Sequence, residues 1–97
     1  MLILKILARG GPQHGYAITL KIEQLSDDIL SVEEGSLYPA LHRLEESGWI
    51  QAEWQVTENK RRARVYQITA AGRKQLALEE ERWHLATGAV SRILRHA

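Results

Sequence analysis

A chain of 97 residues has the length of one small domain. Its composition, 44% apolar and 26% charged, is that of an ordinary globular protein, and the absence of cysteine excludes disulfides and thiolate metal sites. The net charge of +1 conceals an asymmetry: residues 1–56 carry −4, residues 57–74 carry +5 and residues 75–97 balance, so the positive excess falls on one short segment.

The first unbroken apolar run, Met1–Leu4, is far too short to span a membrane. It has neither a basic flank nor a small-residue cleavage site, so no signal peptide is expected and the cytoplasm is the expected location. Apolar residues continue to Leu7, which predicts a short helix over 2–9, stopped by Gly10-Gly11-Pro12. A second helix is predicted over 14–25. Ile18, Ile22 and Leu25 fall on one stripe there, Leu20 lies off it, and Ser26-Asp27-Asp28 ends it. A third helix over 31–47 has Leu37, Leu41 and Leu44 on its inner stripe and Gly48 as its C-terminal stop. Ser31 followed by Glu34 matches a capping box, but Pro39 conflicts with so early a start. Either the helix is kinked there, or it begins near Gly35–Ser36 with the proline in its first turn.

The apolar period then changes from 3.6 to 2. Ile50, Ala52, Trp54 and Val56 alternate with Gln51, Glu53 and Gln55, predicting a half-buried strand, with Trp49 and Trp54 in the core beneath it. The polar, basic stretch 57–63 reads as a hairpin loop, and Val65, Tyr66 and Ile68 as the returning strand. Thr69 is a good N-cap for one long helix reaching about Arg95. Along it Leu76, Trp83 and Val90 recur every seven residues, with Ala86 and Ile93 at an offset of three. Glu79 breaks that second row, so the seam is partial. Gly88 interrupts the helix at a cost of about 1 kcal/mol relative to alanine. The preceding domain has little room to bury such a helix, and a second copy would supply the partner.

Three helices followed by a hairpin make a winged helix-turn-helix, so the expected fold is mainly α with a small β-hairpin. It divides into a winged unit over 1–68 and a long C-terminal dimerisation helix over 69–97. The expected partners are double-stranded DNA and a second copy of the chain, with no cofactor, no metal and no membrane. With its apolar stripe inward, the third helix would show Ser36, Tyr38, Pro39, His42 and Arg43 to DNA, with Arg43 suited to a bidentate guanine contact. Lys60, Arg61, Arg62 and Arg64 would form a basic wing along the phosphate backbone, with Arg61 or Arg62 at the tip. The plain alternatives are a solvated turn for the basic cluster, an ion pair with Glu46 for Arg43, packing for Tyr38 and surface positions for the four histidines. No nucleophile and base, paired carboxylates, phosphate loop or metal spacing points to an enzyme. The competing reading is a winged-helix interaction module without specific DNA binding.

The segments HGYAI at 14–18, GSLYPALHRLE at 35–45, GWI at 48–50 and RVYQITAAG at 64–72 together resemble the PadR family of bacterial transcriptional regulators. The likeness runs across nearly the whole chain, and its single final helix resembles the short subfamily. The resemblance implies a homodimeric repressor whose third helix, with Tyr38, enters the major groove while the wing touches the backbone. In some multidrug-sensing members a tryptophan at the dimer interface stacks flat aromatic ligands. Trp83 is similarly placed, which implies a small aromatic effector on the seam of Leu76, Trp83, Ala86, Val90 and Ile93; packing between helices is the plain reading of the same residue.

Overall fold

The computed structural model describes residues 1–97, the side chain of Glu34 excepted. Its elements are α1 (Leu2–Gly10), β1 (Gln13–His14), α2 (Gly15–Leu25), α3 (Glu34–Glu46), β2 (Ile50–Val56), β3 (Arg62–Ile68) and α4 (Ala70–His96). The strands form one antiparallel sheet in the order β1-β3-β2. The hairpin keeps a regular register from Ile50 opposite Ile68 to Val56 opposite Arg62. This is the winged helix-turn-helix with a long final helix that the periodicities predict, with one addition. The two-residue β1 pairs Gln13 with Tyr66 and His14 with Val65, turning the hairpin into a three-stranded sheet. Two residues are too few to show an alternating pattern.

The core lies where the helical stripes and the hairpin base converge. Leu4, Leu7, Ile18 and Leu41 are fully buried, and Ile22, Leu37, Ile50, Tyr66 and Leu76 close around them. Two expected core residues lie outside. Leu25 ends α2 beyond the reach of the core and is exposed. Trp54 is 57% exposed, because the hairpin runs out past the helices: Ile50 is buried, Ala52 half-buried, and Trp54 and Val56 open. Trp49 packs against the core as expected.

Helix α3 begins at Glu34 with Glu33 at its N-cap and no capping side-chain bond, so Ser31 is not the cap; the Glu34 side of that capping box lies outside the described residues. Pro39 stands inside the helix, beyond its first turn, where its ring removes the bond to the Gly35 carbonyl. The C-terminus is better satisfied. Gly48 takes φ 76°, its N–H donates to the Glu45 carbonyl and the Trp49 N–H donates to the Leu44 carbonyl, the paired bonds of a Schellman turn.

That turn also anchors α4. The Thr69 N–H donates to the Trp49 carbonyl at 3.0 Å and its hydroxyl donates to the Gly48 carbonyl at 2.7 Å. The same hydroxyl accepts from the Gly72 N–H at 3.0 Å, making Thr69 the predicted N-cap. Gly72 and Leu76 are the buried residues of α4. Beyond the first turns the helix projects away, so the molecule measures 58 × 29 × 22 Å with a radius of gyration of 15.7 Å, against about 13 Å for a compact chain of this size.

One ion pair helps to seat α4 on α1. The Lys5 ammonium stands 2.8 Å from Glu80, and its hydrogen bond holds the Glu80 carboxyl below the ordinary value of 4.5. A carboxyl depressed in the folded state adds stability that is complete above 4.5 and is lost as pH falls through the folded value. Lys5→Ala is therefore expected to return the Glu80 midpoint toward 4.5 in an NMR titration. Its small effect on melting should disappear once the pH is well below 4.5.

Candidate nucleic-acid interface

The inward stripe of Leu37 and Leu41 settles which faces α3 presents. With 100° between successive residues, Gly35, Pro39, His42 and Glu46 fall opposite the core, and Ser36 and Arg43 lie on one flank. Tyr38 and Glu45 lie on the other flank, toward the wing. Ser36, Tyr38, Pro39, His42 and Arg43 are all exposed. The glycine at α2's first position brings the two helices together: a Cβ on Gly15 would meet Tyr38 at 3.4 Å and Leu37 at 3.5 Å.

The predicted set is therefore split by the helix. Ser36 and Arg43 border a groove of 680 Å³ beside Met1–Ile3, Val32 and Trp49, away from the wing. Tyr38 borders a second groove on the wing side, between α2, α3 and the hairpin, with Tyr16, Trp54 and Arg62. His42 Nε2 lies 2.8 Å from Glu46 Oε1 one turn on, so Glu46 pairs with the histidine rather than with Arg43. Arg43 makes no ion pair among the described residues.

The wing is a tight turn on a regular ladder. The Thr57 N–H donates to the Arg61 carbonyl at 2.8 Å, the Lys60 N–H to the Thr57 carbonyl at 2.9 Å, and the Arg61 N–H to the Thr57 hydroxyl at 3.2 Å. Lys60 takes the left-handed conformation, φ 59°, that the reversal requires. Only Lys60 and Arg61 of the basic cluster lie in the turn. Arg62 and Arg64, expected in or beside the loop, belong to β3, because the ladder persists to Val56 opposite Arg62.

Their position on one strand face gives these two arginines different company. Arg64 is directly opposite Trp54 in the register, and Arg62 is two residues along. Their guanidinium carbons stand 5.6 and 5.1 Å from the centre of the indole, within cation–π range. Arg64 also reaches back to α3, donating to Glu45 at 2.6 Å. It ties the wing to the recognition-type helix, and nothing in its spacing to Glu45, nineteen residues earlier, discloses that pairing. Tyr66 lies beneath, 4% exposed. Burial pushes its phenol above the ordinary value of 10.0, opposed by the nearby Arg64 charge.

The residues of the predicted seam fall into two groups. Leu76 is 7% exposed and belongs to the protein's own core. Trp83, Ala86, Val90 and Ile93 are exposed along the projecting part of α4, with Leu85 and Leu94 also open beside them. No helix is long and apolar enough to cross a membrane, among the described residues.

Residues 3–78 match the transcriptional regulator PadR-like family. Transcriptional regulator Rv3488 of Mycobacterium tuberculosis is 44% identical over 69 residues, covering 71% of this chain and 59% of its own. The chain spans about three-fifths or less of the curated relatives it matches, since a 37.1 kDa protein of a Streptomyces fradiae transposon is covered over only 21% of its length. A transcriptional regulator from Clostridium thermocellum superposes with a TM-score of 0.86 at 32% identity, over 94% of this chain and 87% of that one. PadR of Bacillus subtilis, solved in complex with operator DNA, superposes with a TM-score of 0.69 at 28% identity, over 78% of this chain and 41% of its own.

Proposed function

The chain belongs to the PadR-like family of transcriptional regulators, and from that premise we propose that it is a cytoplasmic, homodimeric repressor binding an inverted-repeat operator. The observation that carries this reading is the exposed outer face of α3 beside a hairpin whose tip holds Lys60 and Arg61. A helix of this kind fits the major groove while the wing tip follows the phosphates. The solved complex of Bacillus subtilis PadR with operator DNA supports the same use of the fold.

In this reading Pro39, His42 and Tyr38 meet the duplex first, and Ser36 and Arg43 reach it from the far flank. Arg43, unpaired among the described residues, reads a base. Lys60 and Arg61 bind phosphate, whereas Arg64 chiefly holds the wing against α3 through Glu45. Residues 1–68 read DNA, and 69–97 join two copies through the apolar surface of Trp83, Val90 and Ile93. An aromatic effector on Trp83 would sit between the two final helices.

Selection of random duplexes on the purified protein, followed by titration at several salt concentrations, tests the reading. The expected result is an enriched inverted repeat bound by a dimer. Weak binding with no enriched site overturns it in favour of an interaction module. The Lys60→Ala, Arg61→Ala double variant is expected to weaken binding to every sequence alike. It should lower the slope of log affinity against log salt by roughly 0.9 for each phosphate that is no longer neutralised.

A further inference from the structure

The groove beside Ser36 and Arg43 opens on the side of α3 away from the wing. Helix α3 forms one wall and the first turn of α1 the other, with Val32 and Trp49 completing the lining. Its floor is the buried pair Ile22 and Leu37. Ile3, Val32, Leu44 and Trp49 pack against the core yet remain only half-buried, so apolar surface continuous with the core is left open there. The volume, 680 Å³, lies in the usual range for small-molecule sites, roughly 300–1,000 Å³. Along α3 the short side chains of Ser36, Ala40 and Ser47 fall within about 40° of one another, so the trough follows the helix for about 16 Å. Arg43 lies on the same side, one turn before Ser47. It is exposed, makes no ion pair and is the one charged side chain of the lining, among the described residues.

We propose that this groove binds a straight-chain aliphatic carboxylate, its chain along Ala40 toward Ile3 and Val32 and its carboxylate on Arg43. The lining selects the tail. Apart from Trp49 its apolar side chains are aliphatic, so a flat ring would find few faces to stack on, whereas an alkyl chain fits a trough that runs along a helix. The unpaired guanidinium selects the head, since its planar fork matches a carboxylate through two parallel hydrogen bonds. The Ser47 hydroxyl, four residues on and therefore on the same side, adds a donor at that end. With no acidic side chain in the lining, nothing repels the anion as it enters. The site is built from α1, α3, Val32 and Trp49, shares no residue with the wing-side groove or with Trp83, and holds whether or not Arg43 also reads a base.

The test is calorimetry on the full chain with decanoate, below its micellar concentration, and decanol as the uncharged counterpart. Saturable binding of decanoate is expected. Affinity should fall about fourfold for each methylene removed on the way to hexanoate. Arg43→Gln should weaken binding at least about tenfold, and Ala40→Phe, whose ring fills the trough, should abolish it. Trp54→Leu in the other groove should leave binding unchanged, and decanol should bind much more weakly. Arg43 is exposed and Ala40 half-buried, and the melting temperature of each variant shows that it folds. Binding that survives either groove variant overturns the proposal. So does binding lost in Trp54→Leu, affinity independent of chain length, decanol held as tightly as decanoate, or no saturable binding to the folded wild type. A wild-type dimer that takes no decanoate and sediments as a monomer once Ala40→Phe is introduced assigns the groove to a second copy, which also overturns the proposal.

Discussion

Replacing Val90 and Ile93 together with aspartate is expected to leave a folded winged helix that sediments as a monomer and binds its operator 10²–10⁴-fold more weakly. The first half follows from exposure. Val90 is 53% and Ile93 63% exposed, so neither is needed by the protein's own core, and two buried like charges facing their own copies would oppose pairing. The second half is the arithmetic of two linked sites. Once one half-site is bound, the second binding event is intramolecular, and losing the link removes an enhancement of about 10²–10⁴. Sedimentation velocity with and without duplex reads both effects. A variant that stays dimeric would place the contact elsewhere on the molecule.

Gly72→Ala is expected to be the most damaging single-methyl change in the fold. A Cβ there would collide with the Trp49 carbonyl oxygen and stand 2.8 Å from Cγ1 of Ile68 and 2.9 Å from the Trp49 carbonyl carbon. Two of these obstacles are backbone atoms of the Schellman turn, which Thr69 already holds through two hydrogen bonds, so the strain has no flexible side chain to relax into. Overpacking of this kind costs on the order of 3 kcal/mol. In a domain this size that is a fall in Tm of more than about 12 °C. Thermal unfolding checks it, and Gly88→Ala is the internal control. A Cβ at Gly88 meets only the Arg92 guanidinium, at 3.6 Å, and alanine there should be neutral or stabilising.

The comparison of these two glycines also shows what a sequence discloses. Gly48 and Thr69 were legible because capping is local chemistry: a helix end needs its carbonyls and amides satisfied within a few residues. The change of period at Ile50 likewise marked the hairpin. What failed to show were distances through space. Alternation places Trp54 on the inward face of its strand but does not say where the helices beneath that face stop, so Trp54 emerges from the core instead of joining it. The stripe that includes Ile18 and Ile22 names Leu25 for the same reason and with the same result. Arg62 reads as loop and Arg64 as its edge because their charge outweighs the alternation of the strand that contains them. The pairing of Arg64 with Glu45 depends on how α3 is rotated against the wing, which no spacing reveals, whereas that of His42 with Glu46 is an i,i+4 contact within one helix. The wing-side groove is built from α2, α3 and both strands of the hairpin at once, and so has no signature in any one segment.

The final helix is rooted at one end only. Its last core residue is Leu76 and its ion pair to α1 is at Glu80; sixteen residues follow to His96, about 24 Å of rod at 1.5 Å per residue. Such a rod acts as a lever: a tilt of about 10° at its root swings the far end by roughly 4 Å, more than one base step of about 3.4 Å. If the far ends are clamped together, the same tilt appears instead as a change in the gap between two reading heads. Mechanical gain is thus built into the length of the arm, and in the proposed dimer the small shelf formed by Gly48, Trp49, Thr69 and Gly72 would be its fulcrum.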